Sequence, residues 1–110
     1  MASAFKTATS ADVGTSLTSV YTCPSSTTST IIGLYLCNQS GGQIEANCQF
    51  YDTSTTNHIS LTHATPIPSN STLVLVGGDG KVVLEAGDIV KVQSNVASSV
   101  DVVLSYLEQT

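Results

Sequence analysis

Short runs of alternating apolar and polar residues, separated by turn formers, fill the chain, and no stretch keeps the 3.6-residue period of an amphipathic helix. Residues 43–51 are the clearest case. Ile44, Ala46, Cys48 and Phe50 alternate there with Gln43, Glu45, Asn47 and Gln49, which predicts a half-buried strand with Cys48 in the core. Residues 30–38 (TIIGLYLCN) are apolar on both faces, as a central strand is. Residues 57–65 alternate with Ile59 and Leu61 inward and end at Pro66-Ile67-Pro68. Residues 16–22 stop at Cys23-Pro24, and the stretches 73–76, 81–84, 89–93 and 99–108 complete the set. Residues 1–12, small and polar, predict an N-terminal arm or a loosely attached first strand, with 13–110 forming a single domain.

The turn residues suggest the connections. Ser40-Gly41-Gly42 predicts a hairpin between the strands on either side, and Gly77-Gly78-Asp79-Gly80 a second one with a four-residue loop. Residues 52–56 and Glu85-Ala86-Gly87-Asp88 are further turns. About eight strands with turns every 8–12 residues predict an all-β fold, a single antiparallel β-sandwich or jelly-roll-like barrel. Each sheet must then bury one face against the other, because no helix is available to cover it.

Composition narrows the range of uses. Three Lys, no Arg and a net charge of −5 exclude nucleic-acid binding by charge. No apolar stretch approaches the ~20 residues of a membrane helix, so no membrane partner is expected. The opening Met1-Ala2-Ser3-Ala4-Phe5-Lys6 has no hydrophobic core region or cleavage pattern, which predicts no signal peptide and a product made and kept in a cytosol or released by lysis. Charged residues make up 10% of the chain, against ~25% in ordinary soluble domains, while 16 Ser and 15 Thr supply most of the polarity. A neutral, hydroxyl-rich surface suits a part that is permanently covered by neighbours.

Candidate chemistry is thin, and no catalytic, cofactor-binding or metal-ligating residue is assigned. Gly77-Gly78-Asp79-Gly80-Lys81 lacks the spacing, the following Ser/Thr and the helix of a phosphate loop. His58 and His63, five apart in a strand, are expected on opposite faces, and with Cys23, Cys37 and Cys48 they show no zinc-knuckle spacing. Asp52, Asp79 and Asp88 each stand alone in a turn, as backbone-bonding Asp does, which argues against calcium. Three cysteines are an odd number for a disulfide scaffold, so reduced thiols are expected. A Cys37–Cys48 bond would need a hairpin centred between Gly42 and Gln43. Cys23, beside Pro24 in a loop, is expected to be the accessible thiol, with an intermolecular bond through it as the minor alternative. A glycan-binding module is the rival reading for a small β-sandwich, although Trp is absent and Tyr21, Tyr35, Tyr51 and Tyr106 all fall within strands.

One resemblance goes further. The runs Pro66-Ile67-Pro68, Leu73-Val74-Leu75-Val76-Gly77-Gly78, Lys81-Val82-Val83-Leu84-Glu85-Ala86-Gly87-Asp88-Ile89-Val90-Lys91-Val92 and Asp101-Val102-Val103-Leu104-Ser105-Tyr106-Leu107-Glu108 resemble small virion structural proteins of tailed bacteriophages. Val20-Tyr21-Thr22-Cys23-Pro24 and Ile31-Ile32-Gly33-Leu34 are similar to the first half of those proteins, which typically carry alanine where Cys23 stands. The resemblance implies a non-enzymatic capsid decoration (cement) protein that stabilises the head lattice, or a neck, collar or tail-associated protein. It implies no cofactor and a virion location after synthesis in the bacterial host cytoplasm. The implied partners are copies of the chain itself, with a trimer as first choice, and the major capsid protein or neck and tail proteins.

Overall fold

The computed structural model describes residues 3–77 and 80–110, and among these it contains nine strands and no helix. They are β1 (Ser3–Val13), β2 (Thr18–Thr22), β3 (Thr28–Asn38), β4 (Ile44–Asp52), β5 (Asn57–Ile67), β6 (Thr72–Val76), β7 (Val82–Leu84), β8 (Ile89–Ser94) and β9 (Val100–Gln109). One sheet, A, has the order β1-β9-β3-β6, with β7 also on β3; the other, B, has the order β2-β8-β4-β5. All pairings are antiparallel. The chain changes sheet at every connection except β4–β5 and β6–β7. This is the double Greek-key order of a jelly roll, one of the two sandwich forms the strand pattern allowed.

The inner faces meet through Ile31, Leu34, Leu36, Val102 and Leu104 of sheet A and Ile44, Ala46, Cys48, Val90 and Val92 of sheet B, all essentially inaccessible. Each large aliphatic side chain buried this way contributes about 1.5–3 kcal/mol. The alternation in residues 43–51 places Ile44, Ala46 and Cys48 inward as predicted, with Phe50 half-buried.

Both predicted glycine hairpins are something else. Each edge of β3 is already occupied: β9 runs along one from Thr28 to Asn38, while β6 and β7 share the other. β4 therefore cannot pair with it, and Ser40-Gly41-Gly42 is a crossover into sheet B. Asn38 locks that crossover. Its buried amide donates to the carbonyls of Gly42 (2.9 Å), Ile67 (2.8 Å) and Pro68 (3.2 Å), while its Oδ1 accepts from the Ser40 N–H and hydroxyl. Likewise β6 (from Leu34 to Cys37) and β7 (from Ser29 to Ile31) lie in line along β3 and do not form a hairpin. Gly78 and Asp79 of that predicted loop lie outside the described residues. The Glu85–Asp88 turn forms as expected, with the Asp88 N–H bonded to the Glu85 carbonyl and Gly87 at φ 88°, where glycine is favoured.

Two further expectations change. Ile59 is 52% exposed although it stands opposite Phe50, on the face that buries Val90, because β5 is an edge strand flanked only by β4. Leu61 is partly buried against the core. The segment expected as an arm or a loose first strand is strand β1, laddered to β9 from Ser3 opposite Gln109 to Val13 opposite Val100, with Val13 buried.

Candidate functional site

The residues singled out for chemistry do not converge. Among the described residues no group of three His, Cys, Asp or Glu side chains is placed to hold a metal ion. Asp88 is buried and structural. Its Oδ1 accepts from the Thr53 N–H and hydroxyl at 3.1 and 2.9 Å, and its Oδ2 from the Glu85 N–H at 2.9 Å, which ties two loops together. Asp52 caps its own turn through Ser54, whose hydroxyl holds the carboxyl below its ordinary pKa.

Cys48 keeps its expected place in the core, whereas Cys23 and Cys37 exchange exposure. Cys23 is 1% exposed, not accessible, because the chain around it is pinned: its N–H donates to the Asp88 carbonyl, its carbonyl accepts from Gly87, and its thiol contacts the Thr27 carbonyl at 3.3 Å. Cys48 is buried between the sheets, and that burial pushes its thiol up to about 12. Cys37 is the partly exposed one, and β3 and β4 lie in different sheets, so the hairpin premise of a Cys37–Cys48 bond does not hold. Both histidines are exposed; His58 stacks on Tyr51 (ring centroids 4.6 Å apart), with the Lys91 ammonium 3.5 Å from its Nε2.

At one end the sheets are pinned by a network whose signal in the sequence is too scattered to find. The Tyr21 hydroxyl of β2 lies 2.6 Å from the Ser29 hydroxyl and donates to Glu108 at 2.8 Å; Glu108 also pairs with Lys6 of β1 at 2.8 Å. The Tyr21 and Tyr106 rings pack at 4.1 Å. Lys6 and Tyr21 hold the Glu108 carboxyl below its ordinary value, Glu108 raises Lys6, and burial raises the Tyr21 phenol.

The most distinctive surface is the outer face of sheet A. Strand registers place two lateral rows across it. One runs Val83, Thr30, Leu107, Phe5; the other runs Val74, Tyr35, Val103, Thr9. Phe5 is 75% exposed, Val74 and Val83 are each 55% exposed, and Val103 and Tyr35 stand out as exposed too. Gly33 makes room for this arrangement: a Cβ there would meet the Tyr35 ring at 3.0–3.3 Å. Asp101, beside Cys37 at the rim, is engaged by Gln39 and the Asp12 N–H, and the exposed Lys81 and Glu85 flank Val83 at the other rim. Thr7, Ser105 and Gly33 form the row between them, with the Tyr35 ring lying beside Gly33, and exposed apolar rows of this kind suit an interaction surface. Its signal was present in the sequence as the two-sided apolar character of residues 30–38.

No protein-family model matches the chain, and no curated protein matches it. A solved structure from work on Bacillus endospore appendages, described there as a novel family of disulfide-linked pili, superposes with a TM-score of 0.53 at 14% identity. The match covers 98% of this chain and 88% of that one. At this identity the likeness speaks for the sandwich fold.

Proposed function

We propose that this chain is a non-enzymatic structural protein that assembles with copies of itself, and that it works on a phage particle as a capsid decoration protein. The apolar outer face of sheet A carries the reading. Side chains such as Phe5, Val74 and Val83 gain roughly 25 cal/mol per Å² when a neighbouring subunit covers them, and no charge within the rows has to be desolvated. The low overall charge and the resemblance to phage virion proteins support the same reading. The likeness in fold to a chain from work on disulfide-linked pili supports the self-assembling part of the reading. The function is mechanical: covering the face adds contact area that holds a lattice together.

Light scattering behind a sizing column, followed by sedimentation with phage heads lacking their own decoration, tests this. Self-association together with saturable head binding is expected, and a monomer that leaves the heads bare would overturn it. The Tyr51, His58 and Lys91 cluster on the outer face of sheet B favours one second reading, a glycan-binding module, since a ring stack flanked by donors suits a sugar. Saturable signals on a glycan array, abolished by Tyr51→Ala, would establish it instead.

A further inference from the structure

The sandwich has four open sheet edges, and three carry the devices that block pairing with another chain. β5 contains Pro66, two register slips and Ala64 at φ 49°. β2 has five residues and a slip between Ser19 and Tyr21. The β6–β7 edge is two short strands with a break between them. β1 differs. From Ser3 to Ser10 it keeps an uninterrupted register on β9 and contains no proline, and Lys6, its one charged residue there, is already paired with Glu108. An edge this long and regular presents a row of unpaired backbone donors and acceptors on its open side.

We infer that β1 is an assembly edge whose occupant is β1 of a second copy, paired antiparallel about a twofold axis at Thr7. The inference rests on the reading of the chain as a self-assembling subunit and specifies its first contact. Three observations select this register. Centring on Thr7 keeps Ala4 to Ser10 of both copies within the regular stretch, whereas centring on Ala8 runs into the irregularity after Ser10. Centring on Lys6 would set two ammonium groups against each other; centring on Thr7 sets Lys6 opposite Ala8 and Thr7 opposite Thr7, a favourable cross-strand pair.

The Thr7 register also joins the apolar rows. Phe5 falls opposite Thr9 of the second copy, so the row Val83, Thr30, Leu107, Phe5 continues into Thr9, Val103, Tyr35 and Val74 of the other subunit. The most exposed aromatic side chain of the molecule thereby gains a neighbour, and two separate faces become one continuous face on a doubled sheet. Because the contact uses the same strand on both subunits it closes on itself, and the elementary unit is a dimer in place of the trimer suggested by the resemblance.

Thr7 is exposed and outward-facing, so charge there leaves the fold intact while the twofold places like against like. Thr7→Lys alone and Thr7→Glu alone are expected to lower the native mass from twice to once 11.4 kDa, and an equimolar mixture of the two to restore the doubled mass. A parent chain without the doubled mass, either variant as dimeric as the parent, or a mixture no heavier than its components would overturn the edge pairing. Val74→Lys with Val103→Lys tests the separate reading of the face: it should abolish head binding while leaving the β1 dimer in place.

Discussion

The two outer faces of this sandwich have the same strand geometry and opposite chemistry. Across sheet A the lateral rows read Val83, Thr30, Leu107, Phe5 and Val74, Tyr35, Val103, Thr9. Across sheet B they read Ser19, Lys91, Gln49, Ser60 and Thr22, Ile89, Tyr51, His58. Neither face is needed for the core, which the inner residues supply. The difference therefore concerns what each face meets: sheet B is furnished for water, whereas sheet A carries apolar surface that water penalises.

The harshest way to break the comparison is to remove the scaffold both faces share. Asn38→Ala leaves the Ser40 N–H and the carbonyls of Gly42, Ile67 and Pro68 without their buried partner, and should cost about 2–3 kcal/mol in denaturant melts, degrading both faces together. Next comes an exchange of character. Val74→Lys with Val103→Lys should weaken head binding at least about tenfold, equivalent to about 1.4 kcal/mol or more, with the β1 dimer and the melting temperature unchanged. The matched pair Gln49→Lys with Gln93→Lys on sheet B should leave head binding within about twofold of the parent in the same sedimentation assay.

A finer probe is Gly33→Ala. Its Cβ would displace the Tyr35 ring, the flexible end of a surface side chain, so assembly should fall by several-fold while stability changes by less than about 1 kcal/mol. The pH response is smaller still and separates the pinned end from both faces. Glu108 titrates below its ordinary value in the folded chain, so its contribution is complete above the ordinary carboxylate range and fades as pH falls through the lowered value. Lys6 is raised, so its share persists through neutral pH and fades only as pH rises through that raised value. Melts should therefore show acid destabilisation that Glu108→Gln reduces. Assembly itself should respond weakly to salt, since the apolar rows contain no charge.

Alternation made the strands and the core legible in the sequence, because side-chain direction is a local property: Ile44, Ala46 and Cys48 could be placed from residues 43–51 alone. The neighbour of each strand was not legible. Whether Gly41-Gly42 closes a hairpin depends on whether β3 has a free edge, and β9, more than sixty residues later, takes it. Cys23 was misjudged for the same reason, since its shield comes from Asp88 and Leu84. Ile59 kept the face its alternation gave it, opposite Phe50, but on an edge strand with no neighbour beyond it to complete its burial. The apolar face of sheet A lay in plain view in the two-sided strand at residues 30–38, where central placement accounted for only one of its faces.

The pairing of β1 with β9 has a consequence in time. Ser3 waits for Gln109, so the strand with the open edge finds its seat only after about a hundred further residues have been made, and loop closure over that distance is slow. Until then β1 has no ladder to hold it straight, and the rows containing Phe5 and Thr9 do not exist as a surface. A nascent chain thus has nothing to offer its neighbours on the same polysome. Competence to join another copy arrives together with the completed fold.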